Sequence, residues 1–451
     1  MFRMSSEEEL TPVLLTQFID EHKNEVSGRY DKLKRAYESD HDILHDKLQP
    51  EYKPDNRIVV NFPKYITDTM NGFFIGIPVK VTADDDKVTE FVEYLDKYND
   101  QDDNNAELAK LCSIYGHAYE MYYTDENSEI CITYLSPLEA FMIYDDSIIE
   151  RPLYFVRTYT DRQKNEYGSI SDAYGVRHFQ LTGGFKWLDE DFIPHYFPGV
   201  PATEYQENAE RQGIFEPVMS QVNAFNKAIS EKANDVDYFA DAYLKVLGAP
   251  VDEEDVKFIR SNRIVNVTGD DNSNLTVDFM AKPENDTTQE NLLNRLEQMI
   301  FQISMVANIS DENFASTTGT ALKYKLQAMH NLFKTKARKF ESGMNRRYKL
   351  LFGHPASKVP ADSWVQLHYQ FTPNMPKDLK DEAETAARLE GIVSQQTQLS
   401  VLSIVDDVKA EQDQIDKEKE KVQTSVVEQM MFGQTTEKSS AVGTENLNDE
   451  Q

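Results

Sequence analysis

At 451 residues and 51.9 kDa the chain is long enough for about three structural units, each with room for a core. Hydrophobic residues make up 40% and aromatic ones 11%, which excludes wholesale disorder. Lys and Arg number 47 against 78 Asp and Glu, a net charge of −31, and that balance excludes a tight sequence-reading DNA binder, which gains affinity by neutralising phosphates.

Cys112 and Cys131 are the only cysteines. They lack zinc-site spacing and are expected to be small core residues in a reducing cytosol. No apolar run approaches the ~18 residues that cross a bilayer, and no basic-then-apolar leader opens the chain, so no membrane role is expected.

From about Thr11 to Lys47, apolar positions Leu14, Leu15, Phe18, Ile19, Val26, Tyr30, Leu33 and Tyr37 recur at helical spacing, with a break near Gly28. One or two amphipathic helices are predicted. After Pro50 and Pro54 the pattern becomes mixed: an apolar Arg57–Phe62 stretch, a helix over Tyr65–Phe74, and a strand opening after Gly76 and Pro78. Residues 84–107 hold ten acids against Lys87 and Lys97, but without the Asp-x-Asp-x-Asp-Gly turn of a calcium loop they read as a solvated helix face and loop. From Ala118 to about Trp187, runs such as Tyr119–Tyr123, Ile130–Tyr134 and Leu153–Arg157 between turn formers predict an antiparallel sheet.

Three long helical patterns follow. Phe215, Val218, Val222, Phe225, Ile229, Ala233, Val236, Ala240, Tyr243 and Leu247 step by threes and fours, a mean of about 3.6, and predict one helix over 215–247. Gly248-Ala249-Pro250 interrupts it, and a short helix near Asp252–Ser261 with strands at Arg263–Val267 and Leu275–Phe279 makes a small α/β excursion. A second helix carries Leu292, Leu296, Met299, Ile303 and Val306, capped by Thr287 or Thr288, and ends near Asn308. A polar loop over 309–319 precedes a third helix, whose stripe runs from Leu322 to Leu351. Residues 320–350 hold nine basic residues against Glu341 alone, a local charge of +8. A strand at Trp364–Phe371, two acidic helices within 378–431 and a disordered tail from Phe432 complete the reading.

The run Tyr37-Glu38-Ser39-Asp40-His41-Asp42-Ile43-Leu44, then Asn56–Phe62, then Gly72–Val79, resembles the portal proteins of tailed double-stranded DNA bacteriophages of the siphophage type. Tyr134–Pro137, Tyr144–Asp146, Arg151–Tyr154, Ser310–Phe314 with Gly319–Lys325, and Val405–Val408 continue the likeness in the same order. The resemblance covers roughly residues 30–420 and implies an α+β fold: a portal-type subunit with long stem helices, mixed α/β wing, small α/β clip and helical crown, assembling into a ring. By resemblance, 1–214 with 320–371 form the wing, 215–247 and 287–307 the stem, 248–286 the clip, 308–319 the tunnel loop and 372–431 the crown.

The implied function is a non-enzymatic, dodecameric channel at one capsid vertex of the virion, assembled in the host cytoplasm, through which DNA is packaged and ejected. Its implied partners are further copies of itself, DNA in transit, terminase, head-completion or adaptor protein, and major capsid and scaffolding proteins; no cofactor is implied. Asp311, Glu312, Asn313, Ser316, Thr317 and Thr318 are the candidate channel-loop residues. Lys334, Lys336, Arg338, Lys339, Arg346 and Arg347 are candidate contacts to DNA or to an adjacent subunit, and Lys257, Arg260 and Arg263 candidate docking residues of the clip.

The residues also admit a different class. His41 and His45 stand at i and i+4, the helical spacing that holds zinc in metalloproteases, with Asp42 in place of the usual Glu, which would make a helical zinc hydrolase. No third ligand stands out, and neither a Gly-x-Ser-x-Gly elbow nor a Walker-type loop is present, so any packaging energy must come from a separate motor. A head-to-tail connector without DNA passage is the third alternative; such proteins are usually much shorter.

Overall fold

A computed structural model describes residues 1–50, 53–240, 244–247, 276–279, 286–309, 324, 326–375, 379–402, 404–405, 408–409, 411–419 and 421. They fall into two compact units, 1–374 and 375–451. The mixed α+β class agrees with the sequence pattern.

The first unit opens with β1 (Phe2–Met4) and α1 (Pro12–Glu25), whose first turn is capped by the Thr11 hydroxyl accepting from the Leu14 N–H. The break expected near Gly28 is a π-helical turn, Val26–Tyr30, which leads into α2 (Asp31–Tyr37). That turn re-aims Arg29, whose guanidinium grips both carboxylate oxygens of Glu216 at 2.8 Å. An extended segment precedes α3 (Phe62–Ile75), capped by Asn61, and β2 (Lys80–Ala83) follows. The acid-rich stretch forms α4 (Asp86–Tyr98) and α5 (Gln101–Tyr115), with Val88, Phe91, Val92 and Leu95 of α4 turned inward.

Two sheets carry the middle of the chain. The larger has the order β1-β5-β6-β7-β8-β10, from β5 (Ala140–Asp145), β6 (Pro152–Thr160), β7 (Glu166–Ser171), β8 (Gly175–Gln180) and β10 (Ile193–Pro194), with β9 (Lys186–Trp187) also on β8. Only β1 runs parallel, to β5; every other pair in this sheet is antiparallel. The smaller sheet is β11-β3-β4, from β3 (His117–Thr124), β4 (Ile130–Leu135) and β11 (Ala202–Gln206). All six residues of β5 are buried because both its faces are covered. Phe141 and Ile143 pack with Leu15, Phe18 and Ile19 of α1, while Ala140, Met142 and Tyr144 meet Tyr119, Leu135 and Ala202 of the smaller sheet.

Then come α6 (Met219–Ala240), α7 (Asp286–Ser304) and α8 (Gln327–Phe352). Between the first two, β12 (Leu244–Leu247) pairs antiparallel with β13 (Thr276–Phe279). This corrects the 215–247 helix: it begins at Met219 after a 3₁₀ turn and ends at Ala240, and Leu244–Leu247 are strand. Leu247 fits a 3.6 period, but Leu-Lys-Val-Leu also alternates with period two, and so short an apolar run does not discriminate. The strand predicted at Arg263–Val267 lies outside the described residues, as do most of the excursion and the tail beyond 421. The unit closes with β14 (Leu367–Gln370) paired to β2. In the second unit, α9 (Leu379–Leu389) and α10 (Gln395–Leu399) are tied by Gln398 Nε2 donating to the Ala386 carbonyl at 2.9 Å.

Candidate functional site

The geometry converges on α3, the α6/α7 pair and the residues just after α7. On α6, Asn226, Ser230 and Asn234 stand four residues apart, and the extended segment before α3 lies along them. Val60 N–H donates to Asn226 Oδ1 at 2.9 Å, Ile58 N–H to Ser230 Oγ at 2.9 Å and Asn56 N–H to Asn234 Oδ1 at 2.7 Å. The match is geometric: alternate residues of extended chain repeat at about 6.6 Å and four-residue helix steps at about 6 Å, so one ladder of side chains serves an entire edge of backbone. Nothing in the hydrophobic pattern announced it; the signal was three small polar residues at i, i+4 and i+8.

Aromatic rings extend this frame. Phe62 of α3 stands edge-on to Phe225 of α6 and to Phe301 of α7, with centroids at 5.0 and 5.8 Å, and Tyr65 meets Phe301 at 5.7 Å. Lys232 pairs with Glu290 across the two helices, and Gln289 Nε2 donates to Asp235 Oδ2 at 3.1 Å. Between them an open groove of about 460 Å³ is lined by Ile58, Phe225, Ile229, Val236 and Leu293 among others.

At the end of α7 the backbone turns at Met305, φ +60°. Asn308 Nδ2 donates to Glu297 Oε1 at 2.9 Å, and Ile309 N–H to the Tyr65 hydroxyl at 2.8 Å. The candidate loop residues Asp311, Glu312, Asn313, Ser316, Thr317 and Thr318 lie outside the described residues, as do Lys257, Arg260 and Arg263. In α8, His330 and Phe333 pack on Phe73 at 5.2 and 5.8 Å. Helix α3 thus touches both the chain just after α7 and the first turns of α8.

The basic helix α8 divides its cations in a way the sequence hid. Lys334 and Arg338 are exposed and Lys339 half-buried, but Lys336 and Arg347 are buried. Arg347 Nε and Nη2 reach the two oxygens of Glu120 at 2.8 and 2.7 Å, and Nη2 also donates to Asn105 Oδ1 at 2.7 Å. Tyr122, Tyr205 and Gln101 donate to the same carboxylate. Burial opposes the charge on Arg347, but the facing Glu120 carboxylate outweighs it and drives its pKa well up. Lys336 Nζ pairs with Glu207 and donates to Ser113 Oγ at 2.7 Å. Arg346 is half-buried and donates to the Ala202 and Val200 carbonyls at 3.2 and 3.3 Å. Lys336 and Arg347 are therefore corrected as contacts to DNA or a neighbour: their partners are carboxylates of their own subunit, with no outer surface left to offer.

A neighbouring cluster follows the same logic. Burial would raise the Glu204 carboxyl, yet Arg211 gripping both oxygens at 2.6 and 2.8 Å, with His117 and Tyr144 nearby, holds it down at about 2. Burial pushes the His117 imidazole down to about 4.

The zinc reading is overturned. Asp42–His45 is a single 3₁₀ turn preceded by extended His41, so the two histidines do not share an α-helical face. His41 Nδ1 accepts from Asn226 Nδ2 at 2.9 Å, and His45 Nε2 lies 2.5 Å from Asp40 Oδ1. Among the described residues no group of three or more His, Cys, Asp or Glu side chains could hold a metal ion, and no helix is long and apolar enough to cross a membrane.

Helices α3, α6 and α7 thus share one aromatic frame, with Asn308 and Ile309 moored beside it. A sequence model of the family described as "Phage portal protein, SPP1 Gp6-like" matches residues 16–425, and the chain belongs to that family. The portal protein of Bacillus phage SPP1 is similar to it: 23% identical over 370 residues, spanning 73% of this chain and 70% of that protein. The chain is accordingly a phage structural protein, a component of the virion.

Proposed function

We propose that the chain forms a ring, of twelve copies, at one capsid vertex and that double-stranded DNA enters and leaves through its channel, with no reaction catalysed. In this reading α6 and α7 are the stem, β12, β13 and the residues between them belong to the clip that docks terminase, and the head-completion protein binds elsewhere on the ring. The wing is 1–214 with 320–371 and the crown 372–431. The observation that carries it is the apolar surface left on a packed helix pair in a family member: Val236, Leu292 and Ile303 are 58%, 52% and 43% exposed in the single subunit. Adjacent subunits in a ring supply the cover these side chains lack.

Charge supports passage. At −31 per copy the assembly repels phosphates overall, so DNA slides without a series of contacts that must each be broken. The loop 308–319 then lines the constriction, and Lys334, Arg338 and Lys339 contact an adjacent subunit. Light scattering or native mass spectrometry, with negative-stain images, should give particles near twelve times 51.9 kDa with a central hole. A chain that stays monomeric or dimeric both alone and with capsid partners present would sink the ring. Deleting Glu312–Thr318 should leave rings intact and impair DNA packaging or retention, and a fully viable particle would remove the loop from the channel.

A further inference from the structure

The strand register of the large sheet brings three apolar turns to one end. Phe155 pairs with Ser171 and Tyr144 with Pro152, so the β5–β6 turn and the β7–β8 turn leave the sheet on the same side. Pro194 pairs with Gly175, which brings the chain after β10 to that end too. At these tips stand Ile148, Ile149, Tyr174 and Tyr196, exposed by 102%, 68%, 82% and 68%. Neighbouring strands are about 4.8 Å apart, so the tips follow one another at roughly 10 Å and make one row.

The tips are held rigidly. Asp145 Oδ1 accepts from Ser147 Oγ and Arg151 N–H, both at 2.7 Å, and Asp172 Oδ1 from the N–H groups of Tyr174 and Gly175 at 2.7 and 2.8 Å. Tyr196 has φ +62°, a left-handed conformation that an aromatic residue rarely adopts. It is clamped by His195, whose Nε2 lies 3.0 Å from the Asp172 carbonyl and whose Nδ1 accepts from Phe197 N–H at 3.1 Å. Turns braced in this way hold their apolar tips in place, which lowers the entropic cost of binding.

The surroundings are acidic. Because β1 runs parallel to β5, the chain leaves it at this same end and places exposed Glu7, Glu8 and Glu9 beside the row. Asp146 is exposed at the first tip. Arg3 pairs with Glu150, and Arg177 donates to the backbone carbonyls of Asp189 and Glu190; Arg151 is exposed at the first tip, so Glu7, Glu8, Glu9 and Asp146 still outnumber the cation beside them.

From this we infer that this sheet end is a docking surface for a cationic segment, bearing apolar side chains, of a polypeptide other than this one. A second copy offers few such segments, since it carries 47 Lys and Arg against 78 Asp and Glu and two cations of its basic helix α8, Lys336 and Arg347, are buried. The surface stands on the sheet alone and does not depend on the ring or its channel.

A photoreactive phenylalanine placed at position 148 or 174, and at exposed Val365 as control, tests this in heads assembling in infected cells, with cross-linked peptides identified by mass spectrometry. Both test positions should capture the same Lys- or Arg-rich segment of another protein, at least about tenfold above the control. Glu7→Gln, Glu8→Gln, Glu9→Gln and Asp146→Asn together should lower that yield about fivefold or more while thermal unfolding stays unchanged. Cross-links only between copies of this chain, none above control, a captured segment without basic residues, or a yield indifferent to the four substitutions would each overturn the inference.

Discussion

Behind α8, Arg347 and Lys336 are buried, yet each faces a carboxylate of the same subunit, Glu120 or Glu207; on α6 and α7, Val236 and Leu292 are apolar yet stand in the open. The usual placement is reversed in both regions, for different reasons. A buried charge persists where an opposite charge faces it, and Arg347 and Lys336 find theirs, Glu120 and Glu207, within one chain. The apolar side chains exposed on the α6/α7 pair are incomplete within one chain, and in the proposed ring another copy covers them. Stability of the subunit and assembly of subunits should therefore respond to separate sets of substitutions.

The largest effect on the subunit should come from Arg347→Met, which strands the Glu120 carboxylate in the core and should cost about 3–5 kcal/mol in urea unfolding. Adding Glu120→Gln should restore much of the loss. If the single and double variants are equally unstable, the pair is packing rather than charge.

The acid response of the same interior should be smaller and two-signed. His117 has a folded pKa of about 4, below its ordinary 6.5, so its stabilising contribution is complete above 6.5 and lost as pH falls from there to 4. Burial raises Asp96 to about 6 from 3.8, so its contribution is complete below 3.8 and lost as pH rises to 6. Between pH 4 and 6 the two slopes oppose. Relative to the parent, Asp96→Asn should make stability climb more steeply with pH across that window and His117→Gln less steeply, each by about 2–3 kcal/mol at most. Parallel stability–pH curves for parent and variants would remove both groups from the account.

Gly343 sharpens the contrast within α8 itself. A Cβ there would lie 2.4 Å from the Tyr205 ring, so Gly343→Ala should force α8 off β11 and cost about 1–3 kcal/mol in thermal or urea unfolding. An unchanged midpoint would mean the ring swings aside. The smallest effect on the subunit, within about 0.5 kcal/mol, is expected from Val236→Ser with Leu292→Ser. That variant should nevertheless lose the large particle in light scattering, and a variant that keeps rings of full mass would place the subunit interface elsewhere.

Much was legible without coordinates. The α1 to α2 helices with a break at Gly28, the antiparallel sheet region and the apolar stripe of α8 up to Leu351 follow from apolar period and turn residues, because those signals are local; α7 stops at Ser304, short of the expected Asn308. The family likeness was legible too, in short motifs kept in order. Two things were not. Leu244–Leu247 satisfied both periods, and only the pairing with Thr276–Phe279 decided between them. The Asn226, Ser230 and Asn234 ladder has meaning only once an extended strand of backbone lies beside it.

The sequence by itself determined that the chain is α+β, that a strongly basic helix sits in an acidic protein, and that a polar stretch of sequence precedes it. Which of that helix's cations are surface and which are core was decided by tertiary structure alone. Lys334 and Lys336 are two positions apart and chemically identical, yet one is exposed and the other buried against Glu207. Arg347 and Glu120 meet across 227 residues of chain. Helical periodicity assigns a residue to a face; what that face meets depends on strands folded far away in sequence, and burial of a charge is set by that meeting.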